Sequence, residues 1–519
     1  MHCATMQRLL YFPKLLSALK QQVKFGTRPG YVCPQKNILE GFQQVRRYSD
    51  EWDYDVEKVL QDADFDEFSD RMLRLPQHGH NVFVIQPFVR PFKKSAIKNE
   101  MVQEAALTSP QLQLEEALAL INTLPRWKAV DSIILGVNHF KSSTFFGSGQ
   151  IDRLKNIVGQ SKNISAVFVN VDILRVKQII ELELALKVPV FDRYTIVIQI
   201  FRHHAVTKES KLQIALAEIP YLKQCVKGFP KGLSDRLASG RFVGGTEGML
   251  PETRKELLSQ REQKLKKAVS FLKQHRQRVR NDPKNIYPIV AVMGYTNAGK
   301  TSLIKALTGT EKLEPRNQLF ATLDVTKHKG NLPCSLEVLY VDTVGFITDI
   351  PTELFESFTA TLEDAAHANV ILHVWDVSNP DFRKQQEHVM KTLLSLNFGE
   401  NLEKRLFVVG NKVDRISENE LSDLKKAQPN TCFVSTKTGF GMEEMLHKLE
   451  KLTLQASGRT RIKLRVKAYG EEFEWIRREL PVEDMQLDSE YKYAIFTVLV
   501  LRSQLEIFKH KFVKKNNVG

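Results

Sequence analysis

The sequence has little cysteine and no long apolar run. Its five cysteines are scattered over 519 residues, odd in number and without a CxxC pair, which argues against a disulfide framework or a zinc site and fits a reducing compartment. No apolar run approaches the ~18–20 residues that cross a bilayer, so we expect no membrane insertion. Low-complexity tracts and internal repeats are also missing, and the length predicts roughly two to four folded domains.

Acidic residues are scarce at the N-terminus. The net charge of +15 favours polyanionic partners, nucleic acid above all. Within residues 1–48, Arg8, Lys14 and other basic residues face a single acid, Glu40, and apolar residues recur at helical spacing. This pattern, with a cleavage-like Arg46 and Arg47, predicts a mitochondrial presequence and a matrix location. The alternative is a basic tail in a cytosolic or nuclear protein.

The next two segments differ in charge and periodicity. Residues 49–79 are acidic and predict a linker or a tethered short helix. In residues 80–192, strand patterns alternate with helical patterns, which indicates a small α/β domain with a largely parallel sheet. The predicted strands are Val82–Gln86, Ser132–Val137, Ala166–Val171 and Val188–Phe191, and the predicted helices cover 111–123, 150–159 and 175–187.

Residues 193–284 predict a long antiparallel helical hairpin. Leu212, Leu216 and Ile219 form one helical stripe, and after a glycine-rich break at 240–248 apolar residues recur every seventh position from Leu258. The other faces of the second helix are strongly basic. They are either a solvated surface or a contact for a phosphate backbone.

Residues 285–457 return to α/β alternation and predict a doubly wound, mostly parallel sheet. Its predicted strands are Tyr287–Met293, Leu336–Val341, Val370–Val377, Leu406–Gly410 and Cys432–Val434. Residues 458–519 predict a small α+β appendage with strands at Ile462–Val466 and Tyr493–Leu499. The fold class is therefore α/β, with the larger sheet preceded by a smaller α/β domain.

A glycine-rich loop follows the first strand of the larger sheet and opens a helix. The pattern runs from Gly294 to Thr301 and has the context of a phosphate-binding loop, in which backbone N–H groups surround phosphates. Lys300 should bridge the terminal phosphates, Thr301 should ligate Mg²⁺, and Ser302 should lie near the α-phosphate.

Two further motifs fit the Mg²⁺ and the γ-phosphate. Asp342 ends a strand and should hold the metal through water, while the N–H of Gly345 should meet the γ-phosphate. Thr322 is the candidate switch threonine that completes Mg²⁺ coordination, or else an ordinary loop threonine. The predicted catalytic residues are Lys300, Thr322 and Gly345, and the predicted metal ligands are Thr301, Thr322 and Asp342.

The remaining motifs select the base. Asp414 can accept hydrogen bonds from guanine N1–H and the 2-amino group, which adenine does not offer as a pair. Lys412 can lie over the base, and the loop from Ser435 matches the one that contacts guanine O6. The motifs together predict an enzyme that hydrolyses GTP to GDP and phosphate. The predicted nucleotide-binding residues are Gly294, Tyr295, Thr296, Asn297, Ala298, Gly299, Lys300, Thr301, Ser302, Phe320, Ala321, Thr322, Leu323, Asp324, Asp342, Thr343, Val344, Gly345, Asn411, Lys412, Val413, Asp414, Ser435, Thr436 and Lys437.

Two positions bear on how hydrolysis proceeds. Phe346 stands where many regulatory GTPases have a water-orienting glutamine, so unassisted hydrolysis should be slow. Asn297 could ligate a monovalent cation such as K⁺ beside the phosphates, or only hydrogen-bond the loop.

Segments 80–455 resemble the HflX family of ribosome-associated GTPases. The resemblance rests on Phe146–Gln150, Val190–Thr195, Thr207–Glu218 and the nucleotide motifs, and with the presequence it extends to the family's mitochondrial members in animals. It implies an HflX domain whose hairpin enters the ribosome, binding of the mitochondrial large subunit and its rRNA, separation of subunits and a part in large-subunit maturation. We expect a monomer. A hydrophobic residue at position 346 is usual in the family, whereas the loop at 244–253 has fewer glycines than its bacterial counterparts.

Two other functions stay open. One is a large-subunit assembly chaperone that does not split ribosomes, and the other is a tRNA-modification GTPase with a similar phosphate loop. The second would require a folate or cysteine chemistry site, and the sequence offers no such constellation. Copurification of large-subunit rRNA or of tRNA would distinguish them.

Overall fold

The structure covers most of the chain from residue 56 onward. The computed structural model describes residues 56–73, 79–89, 109–137, 145–161, 163–228, 251–280, 287–310, 319–320, 326–347, 365–395, 402–488 and 491–513. Val59–Gly519 group together through their contacts as a single unit. The predicted presequence, the glycine-rich break at 240–248 and Thr322 lie outside the described residues.

The N-terminal domain is a four-stranded parallel sheet covered by helices. Its strands β1 (Asn81–Val89), β2 (Lys128–Val137), β3 (Ala166–Val169) and β4 (Val190–Phe191) lie in the order β2-β1-β3-β4. Three helices alternate with them: α2 (Pro110–Thr123), α3 (Ser148–Gln160) and α4 (Val176–Leu186). The predicted strands and helices of this segment are confirmed. Strands β1, β3 and β4 are largely apolar and buried, as expected for a parallel sheet, whereas β2 at the edge of the sheet is mostly half-buried or exposed.

The acidic segment and the hairpin pack together. Helix α1 (Ala63–Met72) lies within the segment expected to be a linker or short helix, and its Ser69 hydroxyl donates to Glu218 Oε2 over 2.9 Å. Glu218 lies on α6 (Lys208–Gly228), which packs against α7 (Pro251–Arg280). Glu209, near the start of α6, pairs with Arg276, near the end of α7, whereas Lys223, near the end of α6, pairs with Glu262, in the first half of α7. The hairpin of α6 and α7 is therefore antiparallel, as predicted.

The prediction of two helices for 193–284 was incomplete. A third helix, α5 (Arg193–His204), precedes the hairpin, and Asp192 caps it by accepting a hydrogen bond from the Thr195 N–H over 2.9 Å. Nearly the whole of α5 is buried, from Arg193 to Phe201. A helix that is buried all round has no polar face, so it shows no 3.6-residue periodicity in the sequence.

Residues 285–457, called the G domain below, contain a six-stranded sheet in the order β10-β9-β8-β5-β7-β6. Its strands are β5 (Ile289–Gly294), β6 (Thr326–Asn331), β7 (Glu337–Asp342), β8 (Val370–Asp376), β9 (Leu406–Asn411) and β10 (Cys432–Phe433). Among the described residues, the sheet is accompanied by α8 (Lys300–Thr308), α9 (Phe382–Ser395), α10 (Leu402–Arg405), α11 (Glu418–Ala427) and α12 (Met442–Ser457). All pairings are parallel except β6 with β7. The predicted fold class, a mostly parallel phosphate-loop GTPase sheet, is confirmed.

The appendage contains more structure than the two predicted strands. An antiparallel sheet in the order β11-β13-β12 combines β11 (Thr460–Lys467), β12 (Val482–Leu487) and β13 (Tyr493–Val500) with α13 (Glu471–Glu479) and α14 (Arg502–Phe508). Leu499 of β13 is fully buried in the hydrophobic core of the G domain, together with Met445 and Leu449 of α12. The appendage thus shares core side chains with the G domain. Within the ranges that the structure describes, none of the helices has the length and apolar composition needed to span a bilayer.

Candidate nucleotide site

The phosphate loop joins β5, at the centre of the larger sheet, to α8. Gly294 has φ +154°, and a Cβ there would lie 2.0 Å from the carbonyl oxygen of Val374 on β8. Gly299 has φ +93°, and its Cβ would lie 2.3 Å from Nδ2 of Asn411. Both positions therefore require glycine, because the loop packs directly against the neighbouring strands. This arrangement places the N-terminus of α8 at the carboxyl edge of the sheet, where phosphate groups bind in this fold class.

Lys300 is buried inside this loop. Its Nζ donates to the carbonyl oxygens of Tyr295 over 3.0 Å and of Gly294 over 3.3 Å. Burial lowers the pKa of Lys300 to about 8, although Asp342 acts in the opposite direction. The ammonium group is thus held by neutral carbonyl oxygens, and it can turn to phosphate oxygens, which would favour the charged form more strongly.

The turn after β7 closes on the phosphate loop. Tyr295 and Phe346 form a parallel bridge, in which the Thr296 N–H donates to the Phe346 carbonyl over 2.6 Å and the Phe346 N–H donates to the Gly294 carbonyl over 3.1 Å. The Phe346 side chain is buried, so it cannot orient water. A Cβ on Gly345 would lie 2.9 Å from Lys300 Nζ. The backbone of Gly345 therefore approaches the lysine that is predicted to bind the terminal phosphates.

Two of the three predicted metal ligands are in contact. The Thr301 hydroxyl donates to Asp342 Oδ2 over 2.7 Å, and Asp342 is buried at the end of β7. Neighbouring hydroxyl and carboxylate oxygens are the donors that Mg²⁺ prefers, so these residues fit that ion. Thr343 and Val344 lie in the same turn, where the Thr343 hydroxyl donates to the Val292 carbonyl over 2.8 Å. Ala321, Thr322, Leu323 and Asp324 lie outside the described residues, whereas Phe320 is described and buried.

The predicted base-reading residues meet beside the phosphate loop. Asn411 is buried, and its Nδ2 donates to the Ala298 carbonyl over 3.0 Å while its Oδ1 accepts from the Thr436 N–H over 3.3 Å. The Ser435 hydroxyl donates to Asp414 Oδ1 over 2.6 Å. This hydrogen bond holds the pKa of Asp414 below its ordinary value. The exposed carboxylate is therefore ionised at neutral pH and offers two acceptor oxygens to a base.

Lys412 is oriented by a residue that the sequence motifs did not include. Its backbone is left-handed, at φ +67°, and its Nζ contacts Asp376 Oδ2 over 2.6 Å and the Asn297 carbonyl over 2.6 Å. Asp376 ends β8, between the strands that carry the phosphate loop and Asn411. An acid at the carboxyl end of a central strand was the available signal. This signal has little specificity, because such residues are common in parallel sheets.

The chain resembles known GTPases along most of its length. Family models match residues 111–202 (GTP-binding GTPase N-terminal), 204–282 (GTP-binding GTPase Middle Region) and 289–412 (50S ribosome-binding GTPase). GTP-binding protein 6 of Xenopus laevis is 37% identical over 466 residues, covering 90% of this chain and 85% of that protein. GTPase HflX of Lacrimispora saccharolytica is 35% identical over 326 residues, covering 62% of this chain and 75% of that protein.

The chain belongs to the HflX family of GTPases. The family resemblance predicted from the motifs is thereby confirmed, as is hydrolysis of GTP to GDP and phosphate. A solved structure of SsGBP in complex with GDP is 21% identical in sequence, and the match covers 73% of this chain and 99% of that chain with a TM-score of 0.42. A solved structure of a GTP-binding protein from Sulfolobus solfataricus in complex with GDP is 20% identical, and the match covers 72% of this chain and 99% of that chain with a TM-score of 0.38.

Proposed function

We propose that this HflX GTPase binds the large subunit of the mitochondrial ribosome, separates the ribosomal subunits and assists maturation of the large subunit. The observation that carries the proposal is the antiparallel hairpin with a one-sided basic surface. On α7, Leu258 and Leu265 are buried, whereas Lys255, Lys264, Lys266 and Lys267 are exposed. The family model over 289–412, described as a 50S ribosome-binding GTPase, supports the same partner.

The hairpin has the length and charge for an RNA cleft. The 30 residues of α7 span roughly 45 Å at about 1.5 Å per residue. Exposed lysines along it would displace counterions from rRNA phosphates, which gives salt-sensitive binding. We propose that the GTP-bound G domain stabilises the docked state and that hydrolysis weakens it.

The nucleotide chemistry assigns roles to the site residues. Lys300 binds the terminal phosphates, the Gly345 N–H contacts the γ-phosphate, and Asp414 binds guanine. Mg²⁺ would be held by Thr301, Thr322 and Asp342 and would neutralise charge between the terminal phosphates. K⁺ near Asn297 would supply further positive charge, because the buried Phe346 contributes none. We propose that the protein acts as a monomer in the mitochondrial matrix.

Gradient sedimentation tests this proposal. Purified mitochondrial ribosomes are incubated with the protein and a non-hydrolysable GTP analogue, and separated large and small subunits are expected, with the protein on the large subunit. A variant with Lys255, Lys264, Lys266 and Lys267 changed to Glu should leave monosomes intact. The control variant changes the exposed Lys425 and Lys426 on α11 of the G domain to Glu, and it should separate the subunits as the native protein does. Intact monosomes with the native protein would contradict splitting, and binding to isolated large subunits alone would favour the assembly chaperone.

A further inference from the structure

The phosphate loop contacts the N-terminal domain through Tyr295. This residue follows Gly294 and is buried, and its hydroxyl donates to Oε2 of Glu116 over 3.0 Å. Glu116 lies on α2 of the N-terminal domain, 179 residues away in the sequence. A loop residue next to the phosphates is therefore bonded to a carboxylate of another domain.

Glu116 is itself fixed by a buried polar network. Its Oε1 pairs with Arg193 Nη2, and the Arg193 side chain is only 5% exposed. Arg193 Nη1 donates to Asn170 Oδ1 over 3.0 Å, and Asn170 Nδ2 donates to Gln86 Oε1 over 2.6 Å. These residues lie on β1, after β3 and at the start of α5. The carboxylate that binds Tyr295 is thus partly buried, and it cannot turn into solvent without losing its ion pair with the buried Arg193.

A displacement of Tyr295 would also shift Lys300 and the turn at Gly345, which are the groups predicted to contact the terminal phosphates. The Tyr295 carbonyl accepts from Lys300 Nζ over 3.0 Å. The same residue forms the bridge to Phe346, directly after Gly345. Its side chain therefore helps to set the position of the lysine for the terminal phosphates and of the N–H for the γ-phosphate.

Helix α5 makes a second contact with the nucleotide motifs. Arg193 at its start binds Glu116. Phe201, about two turns later, packs edge to face against Phe320 with ring centroids 4.8 Å apart. Phe320 lies two positions before Thr322. One buried helix of the N-terminal domain is thus linked to the phosphate loop and to the residue that leads into the predicted switch segment.

We propose that Glu116 and Arg193 are positioning residues for GTP: they hold the phosphate loop through the Tyr295 hydroxyl, and so couple the nucleotide state to α2 and α5. Such coupling is reciprocal: a partner that binds the N-terminal domain more tightly when GTP is bound must raise the affinity for GTP by the same factor. The inference rests on GTP binding at this loop and not on ribosome binding.

The test compares Tyr295→Phe with Tyr340→Phe in the full-length protein. Tyr340 lies on β7, and its buried hydroxyl has no hydrogen-bond partner among the described residues. Tyr295→Phe should weaken binding of a fluorescent GTP analogue by about fivefold or more. GDP binding should weaken less, because the bridge to Phe346 adjoins Gly345 at the γ-phosphate. Tyr340→Phe should leave both affinities within about twofold of the native protein.

Hydrogen exchange distinguishes coupling to GTP from a purely structural role of Tyr295, because it measures how protection changes when the nucleotide binds. In the native protein, adding the GTP analogue should increase protection of peptides from 110–123 and 193–204. Tyr295→Phe should lose that increase and retain the protection of α8. Glu116→Gln keeps an acceptor for Tyr295 but loses the charge facing Arg193, and it should give an intermediate effect. Native affinities and a native exchange response in Tyr295→Phe would overturn the proposal, whatever the ribosome experiment shows.

Discussion

The Ser435 hydroxyl donates a hydrogen bond of 2.6 Å to Oδ1 of Asp414. Ser435 is fully buried, whereas the Asp414 side chain is exposed at the surface where a base would bind. One carboxylate oxygen is therefore anchored, and its pKa is held below the ordinary value of an aspartate chiefly by this bond. An ionised carboxylate offers acceptor oxygens and no donor, which suits the paired N–H donors of guanine and is the reason we predict that Asp414 reads the base.

Asp414→Asn should change the preferred base. The amide offers a donor to the 2-carbonyl of xanthine and loses an acceptor for guanine, so GTP affinity should fall by roughly 100-fold or more and XTP affinity should rise. Competition binding with both nucleotides measures the change. Asp423→Asn, which alters a carboxylate 79% exposed on α11, should have no effect. Unchanged GTP affinity without any gain for XTP would show that the base binds elsewhere.

Gly345→Ala should impair GTP hydrolysis more than GDP binding. The new Cβ would lie 2.8 Å from Thr296 Cγ2 and 2.9 Å from Lys300 Nζ, which displaces the N–H expected at the γ-phosphate. Loss of one such donor lowers the rate by about 100-fold or more in other enzymes, and we expect at least roughly tenfold here. Steady-state hydrolysis and GDP affinity are the measurements. Gly159→Ala, which has open space around its Cβ on α3, is the control, and a native rate in Gly345→Ala would contradict the assignment.

Thr301→Ala should weaken the dependence on Mg²⁺. The hydroxyl contacts Asp342 and is a predicted metal ligand, so its removal should raise the Mg²⁺ concentration for half-maximal hydrolysis by about tenfold or more. Chelation of Mg²⁺ should abolish hydrolysis in the native protein. In Thr308→Ala the lost hydroxyl donates to the Ile304 carbonyl and accepts from the Thr310 N–H, neither of which belongs to the predicted metal site, and the Mg²⁺ titration should be native. An unshifted titration in Thr301→Ala would remove Thr301 from the metal site.

Residues 1–48 should direct a fluorescent reporter to the mitochondrial matrix. The segment is basic and nearly free of acid, and import receptors and the membrane potential act on such amphipathic cations. A version with Arg8, Lys14, Lys20 and Lys24 changed to Glu should leave the reporter in the cytosol. Cytosolic fluorescence with the native segment would rule out the presequence.

The fold could be predicted wherever strands are apolar and buried on both faces. This holds for β5, β8 and β9, whose residues are mostly buried and nowhere exposed. It fails for β6 and β12, because both are polar edge strands. At an edge, backbone pairing with one neighbour suffices and no apolar pattern is required.

The candidate site likewise contains residues that the sequence can predict and residues that it cannot. Residues within a motif, such as Gly299, Lys300 and Asn411, could be found because backbone geometry around phosphate admits few residue types. Glu116 could not, since a glutamate on an amphipathic helix carries no local sign of a partner 179 residues away. Long-range contacts of this kind depend on how the two sheets are placed, which local periodicity does not specify.

Leu499 has a consequence for inherited and engineered truncations. A chain that stops after Gly458 would lose a side chain that is fully buried in the G domain core beside α12. An unfilled site of that kind costs about 2–5 kcal/mol, against a typical total stability of about 5–15 kcal/mol. A premature stop in the final segment should therefore act as a loss of enzyme abundance, through degradation of a destabilised G domain, even though every nucleotide-contacting residue is still encoded.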